Sequence, residues 1–134
     1  MPEANDLSAR LAATGEALRT LTDGVRRLIA ATVVATPPVE VLHAAARCVD
    51  DAVALLAAHR PAAPSPRYPM TASFTSAADV MPFDPIMGPL NPIAPPIVFA
   101  TAGERSIGRV RFGAAYEWPP GCVHGGVLAL AFDQ

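Results

Sequence analysis

The sequence predicts an α+β chain, and three observations lead there. Apolar residues recur at helical spacing through the first 60 positions. Ten of the fifteen prolines then crowd into residues 60–96. An alternating pair of short runs and an apolar segment finish the 134 residues. The expected organisation is a helical hairpin over 1–60, a proline-rich connector over 61–90, and a β-hairpin with the start of a helix over 91–134.

The first helix is expected over 6–31. Leu7, Leu11, Thr14, Leu18, Leu21, Val25 and Leu28 step by threes and fours and fall on one stripe, with Arg10, Glu16, Arg19, Asp23 and Arg26 mostly off it. Gly15 and Gly24 each weaken that helix by up to about 1 kcal/mol. Thr36-Pro37-Pro38 reads as a restart, with Thr36 as N-cap and Pro37 at the first helical position. A second helix over 39–59 carries a broad apolar face, from Val41 and Leu42 through Val49 to Leu56, with His43 and His59 at its surface or end. The short connection predicts antiparallel neighbours. Such a pair cannot bury both stripes alone and must dock on a partner or on the rest of its own fold.

Proline removes a donor and fixes φ, so residues 60–96 are excluded from helix and central strand and are expected to be extended. Tyr68, Phe74, Met81, Phe83, Ile86 and Met87 are the apolar anchors that would pin this segment to a surface. Strands are expected over Ile97–Ala100 and Ser106–Phe112, joined at Gly103-Glu104. Val110 and Phe112 point to one face, Arg109 and Arg111 to the other.

Composition excludes several classes. Formal net charge is −2, and no basic block interleaved with aromatics argues for nucleic acid. All ten basic residues are Arg, which, with abundant Ala, Pro and Gly, fits a GC-rich genome. No run of about 18 apolar residues predicts a membrane span. The start lacks the basic region and apolar core of a signal peptide. Two distant cysteines, Cys48 and Cys122, fit a reduced, cytoplasmic chain better than a disulfide.

The chemistry concentrates in Trp118-Pro119-Pro120-Gly121-Cys122-Val123-His124-Gly125-Gly126 and the apolar helix that follows as far as Asp133. Gly125 and Gly126 let a ligand approach the backbone. At a helix start their amides lack intrahelical partners and carry partial positive charge, which suits an oxyanion. Without a ligand they are an ordinary glycine turn. Asp133, two turns on among apolar neighbours, is either a general base of raised pKa or a polar-face residue. His124 either donates to a substrate carbonyl or fixes the turn. Cys122 has no evident activating base. A metal site from Cys122, His124 and Asp133 matches no compact zinc spacing and lacks a fourth ligand. No metal or cofactor is expected.

These residues resemble a known family. Asn91-Pro92-Ile93-Ala94-Pro95-Pro96, Phe112-Gly113-Ala114-Ala115-Tyr116-Glu117, Pro119 to Gly126, and Ala131-Phe132-Asp133 are similar to hotdog-fold acyl-CoA thioesterases, in the PaaI-like branch of thioesterase superfamily member 4 type. The resemblance spans roughly residues 88–134. It implies an antiparallel sheet wrapped round a central helix, hydrolysis of acyl-CoA to free acid and CoA, and a homo-oligomer with the site between subunits. It implies that Gly125 or Gly126 supplies the oxyanion amide, that Asp133 is general base or nucleophile, and that His124 holds the loop and the carbonyl. Tyr116, Glu117 and Trp118 would line the substrate approach.

The family's helix and sheet continue past the matched segment, so the hotdog domain expected here is incomplete. The chain is read as a fragment or the product of a truncated gene, inactive by itself. The competing expectation is a non-catalytic helical interaction protein with a vestigial thioesterase segment. His-Gly-Gly also occurs in α/β-hydrolases, but no G-x-S-x-G nucleophile elbow exists in this chain.

Overall fold

Proline forces the segment after residue 80 to find hydrogen-bond partners outside regular ladders, in its own turns and on two side chains of the first helix. A computed structural model describes residues 3–62, 81–103 and 105–133. Among these are α1 (Glu3–Val34), α2 (Val39–Ala57), β1 (Val98–Ala102), β2 (Arg105–Arg109), a 3-10 turn at Ala114–Tyr116, and α3 (Gly125–Phe132). The class is α+β. Two units form, one from residues 1–33 with 66–134 and one from residues 34–65, and each is described by itself.

In the first unit, residues 81–97 make a chain of turns rather than the extended connector expected from proline content alone. Polar side chains stand in for the missing ladder partners, as acceptor at Asp84 and as donor at Asn91. Asp84 Oδ1 accepts the amides of Ile86 and Met87 at 2.8 and 2.9 Å, and Asn91 Nδ2 donates to the Phe83 carbonyl at 2.9 Å. Leu90 N–H reaches back to Pro82 O at 2.8 Å, and Gly88 N–H to Asp84 O at 3.0 Å. Gly88 is required at its position, because a Cβ there would lie 2.7 Å from the Pro82 carbonyl oxygen. The anchors Met81, Phe83, Ile86 and Met87 are part-buried here. Tyr68 and Phe74 lie outside the described residues.

This turn segment is the core. Leu90 and Ala94 are its buried apolar residues, and Thr22 of α1 is buried against it. Thr22 Oγ1 donates to Leu90 O at 3.2 Å, and Arg26 Nη2 to Asn91 O at 2.9 Å. The inward face of α1 therefore runs through Leu18, Thr22, Val25, Arg26 and Ile29, with Leu21 and Leu28 exposed by 40% and 42%. That corrects the stripe read from apolar spacing. The surface under α1 presents carbonyl oxygens, which need donors, so Thr22 and Arg26 turn in and two leucines turn out.

The strands pair antiparallel with Val98 opposite Arg109 and Ala102 opposite Arg105. Gly103 sits at φ +62° in the turn, where a left-handed residue is needed; Glu104 lies outside the described residues. The strands are shorter than expected at their open end. Ile97 N–H bonds Pro95 O rather than a strand, and Pro96 has no N–H to offer, so Val110–Phe112 has nothing to pair with. Val110 and Phe112 are still the part-covered residues and Arg109 and Arg111 the exposed ones.

In the second unit, α2 begins at Val39, where the second helix is expected, but with a different cap. Pro38, not Thr36, is the N-cap, with no side-chain cap. Its carbonyl accepts the amides of Val41 and Leu42 at 3.1 and 3.2 Å. No residue of α2 is buried.

Thr22→Val keeps the shape of the side chain and removes the donor to Leu90 O. We expect a loss of about 1–3 kcal/mol, read as a lower urea midpoint. Thr20→Val, on the exposed face, is expected to stay within about 0.5 kcal/mol of the parent.

Candidate functional site

The His-Gly-Gly segment is built by a loop that closes on itself. Beyond the 3-10 turn, Glu117 bridges Val123 across a tight return. Trp118 N–H donates to Cys122 O at 2.9 Å, and Cys122 N–H to Pro119 O at 2.9 Å. Gly121 turns the chain at φ +80° and gives its amide to Glu117 Oε1. The Trp118–Pro119 peptide is cis. His124 N–H then donates to Tyr116 O at 2.9 Å, which fixes the point where α3 starts.

His124 is the N-cap of α3. Its Nδ1 accepts the Gly126 amide at 3.0 Å. The imidazole is therefore an acceptor at Nδ1, which leaves Nε2 as the position for a proton. A Cβ on residue 126 would approach Nδ1 to 3.1 Å, so glycine keeps this cap relaxed. The Gly125 amide has no partner among the described residues. Both glycines are exposed. Of the two candidate oxyanion donors, Gly126 is engaged by the cap and Gly125 is open.

Asp133 lies at the other end of α3. It is the C-cap, its own N–H bonds Ala129 O at 3.1 Å, and its side chain is exposed. An eight-residue helix is about 12 Å long. Within one chain, Asp133 and the Gly125 amide therefore cannot meet on one carbonyl.

The three residues expected to line the approach separate. Glu117 is spent on the Gly121 amide, and Trp118 is 68% exposed beside the loop. Tyr116 turns the other way. Its hydroxyl donates to Ala94 O at 3.5 Å, and its ring meets Phe112 edge to face at 5.5 Å. It helps line a cavity of about 570 Å³ shared by α1, the turn segment and the 3-10 turn. Burial pushes the Tyr116 phenol up, against the opposing pull of the Arg26 charge.

That cavity carries residues the sequence did not mark as functional, namely Arg26, Arg27, Ile29 and Arg111. The available signal was the position of Arg26 one turn beyond Thr22. Arg26 Nη1 donates to Asp23 Oδ1 at 3.1 Å, and its Nε is buried without a partner.

Among the described residues no cluster of three or more His, Cys, Asp and Glu side chains could hold a metal ion. Cys48 and Cys122 are free, exposed thiols. No described helix is long and apolar enough to cross a membrane. No family model, curated protein or solved structure matches the chain.

The raised Tyr116 pKa gives a pH test. Stability from keeping this phenol neutral is fully present below the ordinary tyrosine range, near pH 10, and is lost as pH rises through the folded value. The chain has two tyrosines, so Tyr68→Phe isolates the signal. Its tyrosinate absorbance is expected to appear at higher pH in the folded chain than in urea.

Proposed function

We propose that the chain carries an acyl-CoA thioesterase segment of the hotdog type. The observation that carries this reading is the open Gly125 amide at the start of an apolar helix whose neighbouring turn is locked by His124. Charge developing on a thioester carbonyl oxygen would find a donor there that needs no rearrangement, an effect worth about 3–4 kcal/mol. His124 keeps the Gly126 amide in register, and its Nε2 is placed at the exposed edge of the same turn. Asp133 acts on the attacking water or the thioester carbon.

The length of α3 supports a two-copy site in this reading, with Asp133 of one chain serving the glycine turn of another. The substrate is an acyl-CoA and no cofactor takes part. Exposed Leu130 and Phe132, 51% and 86% accessible, are apolar surface of the kind that association covers.

The test is release of free CoA thiol from acyl-CoA by the protein produced from its native gene. Asp133→Asn is expected to lower kcat by at least about a hundredfold with intact folding, the scale of general-base catalysis. Unchanged turnover in that variant contradicts the assignment.

A second role, interaction without catalysis, is favoured by α2. Val41, Leu42, Val53 and Leu56 are each more than half exposed, a contiguous apolar face on a helix with nothing buried. The full chain is expected to self-associate in sedimentation runs, and Leu42→Glu with Leu56→Glu is expected to shift it toward monomer. A parent chain that stays monomeric at high concentration counts against this role.

A further inference from the structure

The cavity beside α1 is separate from the His-Gly-Gly turn; none of His124, Gly125, Gly126 or Asp133 lines it. Its volume of about 570 Å³ falls in the range of small-molecule sites, about 300–1,000 Å³. Two kinds of surface meet there. Ile29, Ala30, Pro92, Ile93 and Pro96 give an apolar wall. Asp23, Arg26, Arg27 and Arg111 supply the charge.

The charges do not cancel. Among the described lining residues Asp23 is the single carboxylate, and it is engaged by Arg26. Arg26 is further committed to the Asn91 carbonyl. Arg27 and Arg111 have no hydrogen-bond partner among the described residues, and both are exposed at the rim. Two open guanidinium groups beside an apolar wall match one class of ligand. Its head accepts charge-assisted hydrogen bonds from a planar fork, and its tail is a hydrocarbon chain. A neutral lipid would leave the guanidiniums unused. A small inorganic anion would leave the wall wet. Tyr116 also lines the cavity and is neutral at ordinary pH, so it does not oppose an anion.

We propose that this cavity binds a single-chain amphipathic anion, with its head on Arg27 and Arg111 and its tail along Ile29, Pro92 and Ile93. The site stands on α1, the turn segment and residues 111–116, and does not depend on the thioesterase reading. Carboxylate and phosphate monoester heads share the chemistry that the two arginines recognise.

The test is calorimetric titration of the full chain with octanoate, octyl phosphate and 1-octanol. At least one of the anions is expected to bind once per chain, and 1-octanol at least about tenfold more weakly, because a charge-assisted hydrogen bond is lost. Tighter binding of octanoate identifies a carboxylate source, and tighter binding of octyl phosphate a phosphate source. Arg27→Gln combined with Arg111→Gln is expected to weaken the anion by at least about tenfold. Both side chains are exposed, so circular dichroism should be unchanged. Ala30→Trp, which fills the wall, is expected to block binding while the two arginines remain. The proposal is overturned if neither anion binds at millimolar concentration, if octanol binds as tightly, or if the double charge variant binds like the parent.

Discussion

The described fold depends on one exchange. A proline-rich segment closes most of its hydrogen bonds in its own turns, and a helix turns polar side chains inward onto the Leu90 and Asn91 carbonyls. Thr22 and Arg26 give their donors to Leu90 O and Asn91 O, and Leu90 and Ala94 are buried in the same turns. The burial involved is small, so these directed contacts decide where α1 sits more than apolar area does. An unmade hydrogen bond at a buried carbonyl costs about as much as burying one medium side chain gains.

The same exchange creates the cavity. Once Arg26 is drawn to Asn91, its neighbour Arg27 lies at the rim and Ile29 at the wall. Tyr116 joins this side of the unit to the His-Gly-Gly turn. Its ring lines the cavity, and its carbonyl holds the His124 amide. The cavity and the turn are thus built on one shared residue while presenting different chemistry, cationic and apolar on one side, an open backbone amide on the other.

Much of this was legible in the sequence. The helices around 6–31 and 39–59 follow from apolar spacing, and the hairpin turn from Gly103. The start of α3 next to Gly126 follows from the glycine pair after His124. What was not legible has physical reasons. Periodicity assumes that a helix buries carbon, and here the packing surface offers oxygen, so Arg26 was placed on the wrong face. Proline content predicts what a segment cannot form, but not that Asp84 and Asn91 fold it into turns. Tyr116, Glu117 and Trp118 are consecutive, yet one faces the cavity, one bonds Gly121 and one stays in solvent. At the glycine turn the residue types pointed to an oxyanion donor, while the division of labour between Gly125 and Gly126 needed the position of His124 Nδ1.

The central functional claim is that the Gly125 amide receives a thioester oxygen. It is tested most directly by following that amide in a ¹⁵N-resolved NMR spectrum of the protein produced from its native gene while adding a non-hydrolysable acyl-CoA ketone analogue. The account predicts a saturable shift of the Gly125 resonance, with a smaller one at His124. Saturable binding of the analogue that leaves both resonances where they were would contradict it.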